Sequence, residues 1–181
     1  MTASGASGAP LSHDRRLALR NARGKVVQRL FAHEYEAHPV DDPHIRELLR
    51  WEGGDEVARE YADRLYAGVL AHYEALDARI REFSRGWSLE RLARIDRNIL
   101  RVALCEILFD PEIPFRVSVH EALELAHQFS DPEAVSFING ILHEAAVSLV
   151  PEKGPYEENP ASKKPSRILG KALERHGGPR S

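Results

Sequence analysis

Residues 95–109 read IDRNILRVALCEILF, and this stretch decides the fold. Ile99, Leu100, Val102, Ala103, Leu104, Ile107 and Leu108 cover nearly every side of a helix drawn through it, as expected of a helix buried at the centre of a bundle. Cys105 lies within the run. It reads as a small buried hydrophobe rather than a reactive thiol, because no repeated cysteine motif or flanking basic residue favours the thiolate. Asp110-Pro111 and Pro114 then force a loop. Ser118 and Glu121, three residues apart, form a capping-box pattern that predicts a helix opening there and running through Phe129. Asp131-Pro132 offers an N-cap followed by proline at the first helical position. The helix it opens carries Phe137, Ile138, Ile141, Leu142 and Ala145 and is closed by Pro151.

Upstream, apolar residues from Leu11 onward recur at three and four with almost no alternation, the helical signature. A first helix is predicted from residue 14 to 36, with Val26, Val27, Leu30, Phe31 and Tyr35 as its apolar stripe and His38-Pro39 as its stop. A short helix over residues 44–51 places Ile45, Leu48 and Leu49 inward and halts at Gly53-Gly54. Residues 55–83 form the most regular pattern, with Val57, Tyr61, Leu65, Val69, Tyr73, Leu76, Ile80 and Phe83 stepping by fours and threes. Gly68 inside it costs about 1 kcal/mol relative to alanine, which points to a break or a close packing contact. Ser88 can cap a brief helix through Leu89 and Leu92. No internal repeat or long heptad run is present. The expected architecture is an all-α, compact helical bundle of about seven helices.

The 181 residues suffice for one ordinary domain and are short for two. With 43% hydrophobic and 29% charged residues the chain can bury a core. No apolar run approaches the roughly 20 residues of a membrane span, so no membrane association is expected. The single cysteine excludes an intramolecular disulfide framework and fits a reducing, cytoplasmic setting. Residues 1–13, rich in Ala, Ser and Gly, read as a disordered leader. Residues 14–150 read as the helical domain, and 151–181 as a basic, flexible tail rich in Pro, Gly and Lys. Ile168, Leu169 and Leu173 in that tail either form a short helix against a partner or stay frayed.

The net charge of −3 conceals a strong asymmetry. Residues 1–29 carry Arg15, Arg16, Arg20, Arg23, Lys25 and Arg29 against Asp14 alone, a balance of +5. Residues 151–181 carry +3, which leaves −11 for residues 30–150. A local cluster of like charge sets up its own field within about a Debye length, so an acidic pI does not argue against an anionic partner.

As an enzyme the sequence is poor. It has no glycine-rich phosphate loop, no G-x-S-x-G elbow and no H-E-x-x-H, and neither catalytic residues nor a cofactor are expected. His120, Glu124 and His127 share one helical face at i, i+4, i+7. They read as a solvated polar face opposite Ala122, Leu125, Ala126 and Phe129 in preference to a metal site, and no metal is expected. Arg16, Arg20 and Arg23 have the same spacing and form a basic ridge that runs into Val27 and Phe31 of the buried stripe. Guanidinium groups bind phosphate in a bidentate way and stack on bases, which suits RNA; a solubilising helix end is the other reading.

Three ordered blocks resemble the NusB transcription antitermination factors. Residues 95–107 look like that family's central helix. Residues 113–126, IPFRVSVHEALELA, are similar to its "VPYKVAINEAIELA" stretch, and residues 136–142, SFINGIL, to its "KFVNGVLD" segment. Ala22-Arg23 followed by Val27-Gln28-Arg29-Leu30-Phe31 resembles its "AREcAvQaLY" first helix, so the likeness spans about residues 15–149. The resemblance implies a NusB-like bundle that binds the single-stranded boxA element of nascent rRNA transcripts. It does so together with NusE, a small-subunit ribosomal protein, within the RNA polymerase antitermination complex. Carried over by position, the RNA-binding residues are Arg20 and Arg23 with Arg15 and Arg16 at the edge, and Phe137 matches an aromatic near RNA that is equally suited to the core. Asp96 matches an acidic position used toward NusE.

The chain departs from the family where charge matters. Leu19 and Asn21 replace arginines that many members have. Residues 130–136, SDPEAVS, stand where "GxEDSHK" is usual, and His143-Glu144 stand in place of Asp-Lys. These changes remove positive charge from the expected RNA face. The alternative function is a helical protein-interaction module that has lost RNA binding; monomer and homodimer both stay open.

Overall fold

The computed structural model describes residues 13–34, 55–84 and 89–149. The expected leader before residue 13, the His38-Pro39 stop, the 44–51 helix with its Gly53-Gly54 end, the Ser88 cap, the Pro151 stop and the tail lie outside the described residues. The elements are α1 (His13–His33), α2 (Glu56–Ala71), α3 (Tyr73–Phe83), a 3₁₀ turn (Leu89–Arg91), α4 (Arg94–Phe109), α5 (Phe115–Phe129) and α6 (Pro132–Leu149). Among the described residues there is no strand, as the spacing of apolar residues predicts. The chain divides into two compact units, one up to Tyr66 and one from Ala67.

In the first unit α1 buries Ala22, Val26, Val27 and Leu30, and α2 buries Ala58, Tyr61, Ala62 and Leu65. Asp55 starts α2. Its carboxylate accepts the Ala58 N–H at 3.1 Å and its carbonyl accepts the Arg59 N–H at 3.1 Å, so two donors of the first turn are satisfied by one residue.

In the second unit α4 is central and packs against α3, α5 and α6. Ile99, Leu100, Val102, Ala103, Leu104 and Cys105 are buried, facing a core that includes Leu76, Ile80, Leu125, Ile138 and Leu142. Each large apolar side chain so removed from water contributes about 1.5–3 kcal/mol before its loss of conformational entropy is subtracted. The same helix buries polar groups that the apolar reading of the sequence passes over. Arg101 donates through Nε to Asp77 Oδ1 at 2.6 Å and through Nη2 to Oδ2 at 3.0 Å, a two-pronged contact with α3. Its Nη1 donates to Asn98 Oδ1 at 2.8 Å, and its guanidinium lies 4.1 Å from the Tyr73 ring centroid. A charge taken out of water needs such full pairing, because an uncompensated buried ion is far costlier than a broken surface bridge.

Several local expectations are corrected. The 55–83 segment is two helices, broken at His72, whose backbone leaves the helical region at φ −114°, ψ 16° and whose ring stacks on Phe109 with centroids 3.9 Å apart. Gly68 is the close contact that its place suggests: a Cβ there would sit 3.2 Å from Cys105 Sγ. Val57 is 47% exposed and Phe31 36%, so neither belongs to a buried stripe. Finally, α5 opens at Phe115 and not at Ser118. Pro114 is extended (φ −59°, ψ 133°) and its carbonyl accepts the N–H of Val117 at 2.8 Å and of Ser118 at 3.3 Å, so the helix is already under way. Ser118 and Glu121 are buried inside it. The Asp131-Pro132 start holds, with the Val135 N–H on the Asp131 carbonyl at 3.1 Å.

Two outcomes follow from this core. Replacing Asp77 by Ala leaves the buried Arg101 charge without its carboxylate and should cost about 3–5 kcal/mol in urea unfolding, whereas Asp77→Leu combined with Arg101→Met should cost much less. Equal destabilisation in both would contradict the pairing. Burial, assisted by the Asp110 carboxylate, pushes the Cys105 thiol up to about 11. A thiol that ionises at about 9.0 when unfolded therefore supports the fold fully below that pH, and its contribution disappears as pH climbs through about 11. Native protein at pH 8 should resist a disulfide reagent such as DTNB until urea is added; rapid native labelling would count against this burial.

Candidate nucleic-acid interface

Helix α1 is built from good helix formers, with Ala, Leu and Arg dominating HDRRLALRNARGKVVQRLFAH and Asp14 placed favourably in the first turn. Its two halves behave differently. Val26, Val27 and Leu30 are fully buried, while Arg16 and Leu17 are exposed and Arg15 and Arg20 are half-buried. Arg15 Nη1 lies 3.8 Å from Asp55 Oδ1, a pair about one-third exposed on each side and worth at most about 1 kcal/mol.

Arg23 is not on the solvent ridge. It is 3% exposed, with its guanidinium 5.3 Å from the centroid of the Tyr61 ring, which Arg64 approaches at 5.8 Å. The physical reason is spacing. Val26, Val27 and Leu30 follow Arg23 at i+3, i+4 and i+7, so the buried stripe begins at residue 23. Arg16 and Arg20 continue that line toward the N-terminus, and exposure rises along it. Six residues after Arg23, the part-exposed Arg29 lies 4.0 Å from the Tyr66 centroid and 2.6 Å from the exposed Asp63 Oδ1. On α2, Tyr61 thus receives Arg23, and Asp63 and Tyr66, one turn apart on a different side of the helix, receive Arg29. By periodicity Tyr61 is an apolar stripe member only. An arginine at the head of a buried stripe was the signal for its aromatic partner.

In the second unit Asp96 and Phe137 occupy different helices. Asp96 stands in the first turn of α4, 6% exposed, and accepts the Ser130 hydroxyl at 2.5 Å, tying the start of α4 to the end of α5. Phe137 is part-buried on α6 beside the fully buried Ile138, intermediate between the two roles expected of it. On α5, His120 and His127 are exposed and Glu124 is half-buried. Among the described residues no group of three His, Cys, Asp or Glu side chains could hold a metal ion, and no described helix is long and apolar enough to cross a membrane.

Burial raises the Asp96 pKa above the usual carboxylate value; the Ser130 bond lowers it and Asp131 raises it further. A raised folded value means that this group favours folding most below 3.8, and that the benefit fades as pH rises through its folded pKa. An Asn can accept the same hydroxyl without carrying charge. Asp96→Asn should therefore be at least as thermally stable as wild type at pH 7, with no advantage left below 3.8. A destabilisation above about 1 kcal/mol at pH 7 would show that the charge itself holds the junction.

Residues 20–147 match the model of the NusB family. Over 140 residues the chain is 40% identical to the transcription antitermination protein NusB of Geobacter sulfurreducens, covering 76% of this chain and 99% of that protein. Among solved structures, T. maritima NusB superposes with a TM-score of 0.63 at 35% identity, covering 71% of this chain and 90% of that one. A chain of the crystal structure of the antitermination factors NusB and NusE in complex with dsRNA shares the fold, with a TM-score of 0.60 at 24% identity over 73% of this chain and 98% of that one. The α4 to α6 blocks and the α1 stripe described above fall within the matched residues, and the chain belongs to the NusB family.

Proposed function

We propose that this protein is a non-enzymatic transcription antitermination factor that binds boxA-type single-stranded RNA of nascent rRNA transcripts together with NusE, in the cytoplasm and within the RNA polymerase antitermination complex. The observation that carries this reading is the split character of α1. Its second half is fixed by Val26, Val27 and Leu30, and its first half holds Arg16 exposed with Arg20 and Arg15 half-buried beside it. Guanidiniums on a fixed scaffold meet phosphates with less ordering cost than the same groups on a free chain. The antitermination proteins to which the chain is similar support the same reading, and the fold it shares with a chain solved with NusE and dsRNA agrees with an RNA partner in general. Phe137 enters it as a part-buried ring assigned to base stacking, and Asp96 as the acidic position assigned to NusE, which would act there through the buried junction it makes with Ser130.

The test is a fluorescence titration of boxA-type RNA, with a scrambled strand and a duplex as controls, over a salt series. Arg16→Ala with Arg20→Ala should weaken boxA binding, and the slope of log K against log salt should become shallower by roughly 0.7 for each phosphate that is no longer neutralised. Unchanged affinity and slope would remove the arginines from the interface. Salt-independent indifference to every RNA, together with a stable dimer, would favour a protein-interaction module in its place.

A further inference from the structure

Arg23 is one of the two arginines that the resemblance assigns to RNA, and it is the one the fold withdraws from water. Arg23 and Tyr61 are 3% and 5% exposed, and the 5.3 Å between guanidinium and ring centroid is within the range in which a cation is attracted to a ring face. With 3% of Arg23 exposed, a phosphate in solvent could reach it only if the side chain left its buried place. At 100° per residue, Arg16 lies roughly 20° and Arg20 roughly 60° around the helix from Arg23, on the same side. Whatever sets the azimuth of Arg23 therefore sets the direction of the other two.

We propose that Arg23 is a positioning residue and not an RNA contact: seated on Tyr61, it extends by one turn toward the N-terminus the anchorage that Val26, Val27 and Leu30 give α1, and thereby aims Arg16 and Arg20. This rests on the reading of those two arginines as RNA-facing. Arginine suits the role because its planar guanidinium lies flat on a ring and stays charged at every accessible pH, whereas methionine of similar length offers no charge to the ring. Tyr61 serves as the platform through its ring.

The experiment uses the full chain and two readouts. In the boxA titration, Arg23→Met and Tyr61→Leu should each weaken binding several-fold and by similar factors, the pair together no more than either alone. Tyr61→Phe, which keeps the ring, should bind like wild type. In a background already carrying Arg16→Ala and Arg20→Ala, Arg23→Met should have no further effect, because it acts through the residues removed. In hydrogen exchange, amides of residues 16–22 should become less protected in Arg23→Met and Tyr61→Leu and stay protected in Tyr61→Phe. Further weakening by Arg23→Met in the double-alanine background, with Tyr61→Leu silent, would make Arg23 a direct contact and overturn the proposal. Unchanged exchange in Arg23→Met would overturn it as well, and that arm stands without RNA. Should the double-alanine protein bind RNA as well as wild type, the functional reading fails while exchange still decides the role of Arg23.

Discussion

A helix can hold charge outward in a fixed direction only if something else holds the helix. In α1 that constraint is the burial of Val26, Val27 and Leu30, joined by Arg29 closing on Asp63 and stacking over Tyr66. Along one helix the same residue type is used in opposite ways. Arg23 and Arg29 are turned onto tyrosines of α2, and Arg16 is exposed. The distinction rests on where the apolar stripe begins, which is a matter of spacing and not of charge.

The second unit applies a related constraint around α4. An all-round apolar helix would pack in several rotations, since one greasy face resembles another. Arg101 removes that freedom, because its guanidinium satisfies Asp77, Asn98 and the Tyr73 ring in one arrangement. Gly68, close on Cys105, adds a steric key of the same kind on α2. Asp96 with Ser130 then ties the start of α4 to the end of α5. Each of these contacts selects one packing among those that hydrophobic burial alone would tolerate.

Much of this was legible in the residues. The enclosed character of α4, the inert burial of Cys105, the Pro132 start of α6 and the split of α1 all rest on local periodicity and turn chemistry, which a sequence displays directly. What escaped was set by distant partners. The break at His72 comes with a ring stacked on Phe109, 37 positions away, and not with the glycine that local propensity singles out. The start of α5 depends on the Pro114 carbonyl, so the Ser118 and Glu121 pair was a capping signal already inside a helix. Arg23 was misplaced for a different reason. Its relation to Val26, Val27 and Leu30 was visible, but a charged residue invites solvent, and the Tyr61 ring that meets its guanidinium comes from another helix.

The most direct examination of this account is to follow the arginine side-chain Nε–H signals by NMR while boxA-type RNA is added to the full-length protein. Signals of Arg16 and Arg20 should shift and broaden with the RNA, and those of Arg23 and Arg29 should keep the positions they hold in the free protein. Equal perturbation of all four, or of Arg23 before Arg16, would contradict it.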